Sequence, residues 1–156
     1  MGYKVSWIAV RGVGPDELFA EVGLVRQSRF DGTPFEHGLL GGALYRGWYF
    51  VGSSQLEDQF VDERFLARLS RGRETISVFV HEGVNCSGVQ CWKDGHRQWG
   101  VERNAQADSN HLESTGDVPA FYAPIRQRAM ALQRADPDVD ILIEVPLRAA
   151  HHMTGF

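Results

Sequence analysis

The stretch from residue 74 to residue 104 constrains the fold of this chain more than any other. Thr75-Ile76-Ser77-Val78-Phe79-Val80 is a run of β-branched and aromatic residues, 84–92 is a second β-rich run, and 98–103 a third. Side chains of this kind lose little by standing on a pleated, half-buried surface, so each run predicts a strand. Lys93-Asp94-Gly95-His96 separates the last two. Asp-Gly tolerates the positive φ angles of a two-residue hairpin. The three strands are therefore expected to pair antiparallel as a meander. A sheet of three strands cannot bury both of its faces alone, so the rest of the chain must supply more strands and helical cover.

The flanking segments meet that need. Val5-Ser6-Trp7-Ile8-Ala9-Val10 reads as a strand, broken by Gly12 and Gly14. Pro15 suits the first turn of a helix, with Asp16 and Glu17 near its positive end and Gly23 as its stop. Residues 24–30 predict a second, weaker strand. Residues 31–34 are a turn by composition, and the glycine-rich 38–42 is read as loop. Trp48-Tyr49-Phe50-Val51 predicts a central strand. Residues 57–70 place Val61, Phe65 and Leu69 at spacing four beside Phe60 and Leu66, which predicts one amphipathic helix. After a loop through 108–116, Asp117 is read as the cap of a helix with Pro119 in its first turn. The expected apolar face of that helix is Phe121, Ile125, Ala129 and Leu132. Residues 141–145 read as a last strand and 147–153 as a short helix. The order lacks regular strand–helix–strand alternation, so the expected class is α+β. It is one domain over residues 1–156, a mostly antiparallel sheet packed against two or three helices.

Composition narrows the function. A length of 156 residues suits one domain. Lys and Arg number 16 against 20 Asp and Glu, for a net charge of −4. The only lysines are Lys4 and Lys93, and the arginines are scattered. Phosphate backbones are held by basic runs or stripes, so nucleic acid is not an expected partner. Residues 1–10 lack the apolar core and cleavage site of a secretion signal. The apolar runs fall well short of the roughly 20 residues that cross a bilayer, so no membrane is expected. With two cysteines, these features predict a cytosolic, reducing setting.

No catalytic or cofactor fingerprint is complete. Arg11-Gly12-Val13-Gly14-Pro15 sits between a strand and a helix, as phosphate-binding loops do. It lacks a third glycine and the Lys-Ser/Thr pair, and Asp16 and Glu17 would repel phosphate, so it reads as a tight turn. Cys86 and Cys91 are five apart on one expected strand. They should face opposite sides about 16 Å apart, beyond disulfide reach. No histidine pair has the helical zinc spacing, and neither cysteine spacing suits a zinc framework, so no metal and no cofactor are expected. What remains for chemistry is His81, Glu82, Cys86 and Cys91, with His81 or His96 able to approach a thiol across the meander. Against this stands the reading of two inert, buried thiols.

The segment Val5-Ser6-Trp7-Ile8-Ala9-Val10-Arg11-Gly12, the step Gly47-Trp48-Tyr49, the hairpin Trp92-Lys93-Asp94-Gly95 with Trp99, and the ending Thr154-Gly155-Phe156 resemble a group of small uncharacterised bacterial proteins. The resemblance covers most of the chain. It implies a bacterial cytosolic protein and carries no activity.

The function expected from these readings is a non-catalytic protein-binding module, in its most concrete form an immunity protein that neutralises a bacterial toxin. The alternative is a small cytosolic enzyme, a hydrolase or transferase, with a His/Glu/Cys site over the sheet. For the binding module the expected partner is a protein with a basic surface. It would be met through Glu57, Asp58, Asp62 and Glu63, unless these only keep their helix soluble. Trp48, Trp92 and Trp99 are binding residues if a sheet face is open and core residues if it is covered. Arg46, Arg97 and Arg103 would form the rim of such a face.

Overall fold

The computed structural model describes residues 3–25 and 39–156. The expected weaker strand at 24–30 and the turn at 31–34 fall largely or wholly outside them. Among the described residues seven strands form one antiparallel sheet: β1 (Lys4–Arg11), β2 (Leu39–Ala43), β3 (Trp48–Ser53), β4 (Glu74–His81), β5 (Cys86–Lys93), β6 (His96–Asn104) and β7 (Glu113–Gly116). Their order is β2-β3-β1-β4-β5-β6-β7. The fold is thus the single α+β domain expected from the sequence, with the meander at its heart.

The β5–β6 turn has φ of 51° at Asp94 and 81° at Gly95, the signs a right-twisted two-residue hairpin needs. Ser70, fully buried, fixes that turn. Its carbonyl accepts from Asp94 N–H at 2.8 Å and its hydroxyl from Gly95 N–H at 3.2 Å. Strand β1 lies between β3 and β4, and residues 5–10 are all buried. Its unbroken run suits a strand covered on both faces. Trp7 and Ala9 join one core, and Ile8 and Val10 the other.

Helices cover the two faces unequally. On one side lie α4 (Tyr122–Ala135), a 3₁₀ turn (Ile141–Glu144) and α5 (Val145–Thr154). On the other lie α1 (Pro15–Val22), α2 (Asp58–Val61) and α3 (Glu63–Leu69), packed over Ile8, Val10, Val51 and Trp92. Among the described residues that second layer stops short of β6 and β7. It leaves a shallow trough of about 180 Å³ floored by Gly88 and Gly100, with Phe79 lying over Gly88.

Five expectations are corrected. Residues 39–43 are an edge strand, not a loop. Glycine is used there for approach, since a Cβ at Gly41 would stand 2.9 Å from the Phe19 ring. The single helix over 57–70 is two. Asp62 is extended (φ −72°, ψ 120°), and its carboxylate caps α3 by accepting from Phe65 N–H at 2.7 Å. Val61 therefore leaves the apolar stripe and is exposed. The supposed loop before Gly116 contains β7. Asp117 does not cap α4; its N–H donates to Gln98 O, and the helix begins at Tyr122 without a side-chain cap. Residues 141–145 are not a strand. The buried Gln133 amide accepts from Ile141 N–H at 2.9 Å and starts a helical turn, which Pro146 in the first turn of α5 continues.

Candidate binding cleft

The sequence candidates for chemistry do not assemble. His81 and Cys86 are directly opposite on β4 and β5, so their side chains share a face. Cys91 is on the other face, 2% exposed within the core. His96 is at the hairpin end, opposite Lys93. Glu82 leaves the sheet in a 3₁₀ turn, where its carboxylate accepts from Tyr3 N–H at 3.2 Å. Both thiols are free. Burial pushes the Cys86 thiol up, and the nearby Glu102 charge adds to this. Its Sγ–H donates to Asn104 Oδ1 at 3.3 Å. Burial and the Glu74 carboxylate push Cys91 up to about 12. A nucleophilic cysteine needs the opposite shift, toward thiolate at neutral pH. Among the described residues, no group of three or more His, Cys, Asp or Glu is placed to hold a metal ion. No helix among them is long and apolar enough to cross a membrane.

The expected binding residues divide in the same way. Trp48, Trp92 and Trp99 are 3%, 6% and 4% exposed, so all three are core and none offers a surface. Trp48 and Trp99 face α4 and α5, and Trp92 faces α3. The four acids of α2 and α3 are largely engaged within the chain. Glu57 accepts from the Ser53 hydroxyl at 2.7 Å, Asp62 caps α3, and Glu63 pairs with Arg97 at 3.3 Å. Asp58 is exposed in the first turn of α2. Arg46 and Arg97 are exposed, but Arg103 is 3% exposed and belongs to no rim.

The structure forms its concavity elsewhere. A cleft of about 670 Å³ runs beside α5 on the α4–α5 face of the sheet. Its walls are Trp7 and Val80 from the sheet, Ile125 from α4, Ile143 from the 3₁₀ turn, Leu147 from α5, and Phe156. Polar groups stand among its lining as well: Glu82, the exposed Glu144–Arg148 ion pair at 2.6 Å, and the exposed His151 and His152. The His152 ring stacks on Phe121 at 4.1 Å. One short motif shapes the aromatic end. Gly155 takes φ 77° and its N–H donates to His151 O, which ends α5 and turns the chain back. Phe156 is thereby laid against Phe50 at 4.5 Å and edge-on to Trp7 at 5.3 Å. Glu82, singled out from the sequence for chemistry, lies in this lining, and Thr-Gly-Phe after a helical run is a further sequence signal that could have pointed here. Tyr3, Ile125, Leu147 and His151 carry none.

Comparison with protein families, with curated proteins and with solved structures finds no match for this chain.

Proposed function

We propose that this chain is a non-catalytic protein-binding module that takes an apolar side chain of its partner into the cleft beside α5. The observation that carries this reading is the cleft itself, walled by Trp7, Ile125, Leu147 and Phe156. Apolar anchors seated in a pocket with charged residues around them supply most of the energy in protein interfaces. Glu82, His151 and His152 line the cleft, but the thiol–histidine pair of the enzyme reading, His81 and Cys86, stands apart from it, and burial pushes the Cys86 thiol up, away from thiolate. Glu57, Asp58, Asp62 and Glu63, at the starts of α2 and α3, lie on the other face of the sheet, so one compact interface does not use both surfaces. A basic partner is favoured by the net charge of −4 at long range. Neutralisation of a bacterial toxin is the most concrete form of this function.

The test places a photoreactive benzophenone side chain at Leu147 and, as a control, at the exposed Arg68 of α3, and irradiates cells making the chain. A discrete adduct heavier by a whole polypeptide, at 147 and not at 68, is the expected result. Adducts of small mass only, or none at 147, would refute the reading.

A further inference from the structure

A second concavity lies on the same sheet face, along a different side of α4. It has a volume of about 560 Å³ and runs between α4 and the end of β7. Tyr122, Arg126, Met130 and Arg134 line it, four residues apart and so along one stripe of the helix. Ser114 of β7 and the segment Val118–Pro119–Ala120 close the other side. Helix α4 carries Arg126, Arg128 and Arg134 and no acidic residue, in a chain whose net charge is −4. Among the described residues none of these arginines forms an ion pair.

Two further observations point to a ligand. The first turn of α4 has neither a side-chain cap nor an acidic residue; Tyr122 N–H donates to Pro119 O at 2.9 Å and Pro124 has no N–H, so the Ala123 N–H is the donor left at the positive end of the helix. The Ala123 backbone lies there, beside the cavity. The second is Tyr122. Only 6% of it is exposed, yet its hydroxyl makes no hydrogen bond of proper geometry. A buried hydroxyl left unpaired is costly, and native proteins rarely keep one without a use. Ser114 and Arg126 are the polar side chains that approach it.

We infer that this cavity binds the phosphate group of a small organic phosphate monoester. The donors gathered there are the Arg126 guanidinium, the Tyr122 and Ser114 hydroxyls and the Ala123 amide. A guanidinium offers a flat two-pronged fork, and the hydroxyls and helix end add donors outside its plane. That arrangement suits a tetrahedral group with three terminal oxygens better than a planar carboxylate. Val118, Pro119 and Met130 provide apolar wall for the organic part. Arg134, about 12 Å from Arg126 along the helix, closes the far end. This site is independent of the cleft beside α5.

The test is a ¹⁵N NMR titration of the whole chain with inorganic phosphate, acetate and phenyl phosphate at constant ionic strength. Saturable shifts at the Ala123 amide and Arg126 Nε are expected with phosphate. Acetate should bind at least about tenfold more weakly and phenyl phosphate more tightly than inorganic phosphate. Arg126→Gln and Tyr122→Phe should each weaken phosphate binding about tenfold or more, as loss of a charge-assisted or buried hydrogen bond does. Tyr122→Phe should unfold no earlier than the parent without phosphate, because the orphan hydroxyl is gone. Absence of saturation, or unchanged affinity in either variant, would overturn the site. Acetate equal to phosphate, or phenyl phosphate no tighter than phosphate, would overturn the assigned ligand class.

Discussion

Removal of the Arg103 side chain should unfold this protein more readily than any change to its surface charges. Arg103 stands on β6 with its side chain 3% exposed. Its Nε–H donates to both oxygens of Asp140, at 3.1 and 3.3 Å. Nη1 donates to the carbonyls of Asp108 and His111, each at 3.0 Å, and Nη2 to Ser109 O and Asp140 Oδ2, each at 3.1 Å. All five N–H groups of the guanidinium are thereby used. Arg103→Ala leaves a carboxylate that is 15% exposed without its cation, and three carbonyls without their donor. Removing one partner of a buried pair costs about 3–5 kcal/mol. Water entering the vacated space would serve some of the carbonyls, so about 4 kcal/mol is the expected loss. That is a large part of the roughly 5–15 kcal/mol that holds a domain folded. At about 2–4 °C per kcal/mol for a chain of this size, the midpoint should fall by roughly 8–16 °C. Urea unfolding of parent and variant, followed by tryptophan fluorescence, measures the difference, and the slope with denaturant should not change. Arg103→Lys should fall between them, because an ammonium keeps the charge but not the five-donor fork. A loss under about 1 kcal/mol for Arg103→Ala would show that the network contributes little and would refute the reasoning.

Cys91 should make the protein less stable at alkaline pH. Its thiol is neutral in both states below pH 9; between pH 9 and about 12 only the unfolded chain ionises, so stability falls there by about 1.4 kcal/mol per pH unit. Cys91→Ala should flatten that part of the pH–stability curve, and an identical slope in parent and variant would count against it. Gly116→Ala should cost about 2 kcal/mol or more, because a Cβ there would stand 2.1 Å from Gln98 O at φ 73°; Gly88→Ala should cost under about 1 kcal/mol, since the Phe79 ring it meets lies on an open face and can turn away. Equal melting temperatures for the two glycine variants would contradict this.

The meander was legible because its signals are local. β-branched runs and one Asp-Gly pair act on their own backbone. What the sequence concealed depends on contacts distant along the chain. Residues 141–145 have the composition of a strand and become a helical turn because the Gln133 amide meets their N–H groups. Glu113–Gly116 is fully polar, so β7 carries no alternation, and it is a strand only because β6 offers an unpaired edge. The site was less legible than the fold. Trp48, Trp92 and Trp99 attract attention by type, but strand alternation sends them into two different cores. The cleft is built from ordinary residues, Ile125, Leu147 and Phe156, which acquire meaning only when α4, α5 and the turn at Gly155 bring them together. Arg103 reads from the sequence as a rim residue beside Arg46 and Arg97, and nothing in its neighbours tells that Asp140 will meet it.

The position of β1 in the middle of the sheet bears on how the chain reaches this structure. Strands β4, β5 and β6 close with neighbours through short turns, and local closure is quick. β1 pairs instead with residues far along the chain, Lys4 with His81 and Arg11 with Trp48. During synthesis it is made ahead of both partners. At about 5–20 residues per second it waits roughly 4–15 s before His81 exists. For that interval Val5-Ser6-Trp7-Ile8-Ala9-Val10, the most continuously buried segment of the sheet, is an apolar strand with two open edges. Such a segment is a template for pairing with another chain. The same strand that joins the two halves of the finished sheet is, before the sheet exists, the place where this protein is most exposed to aggregation.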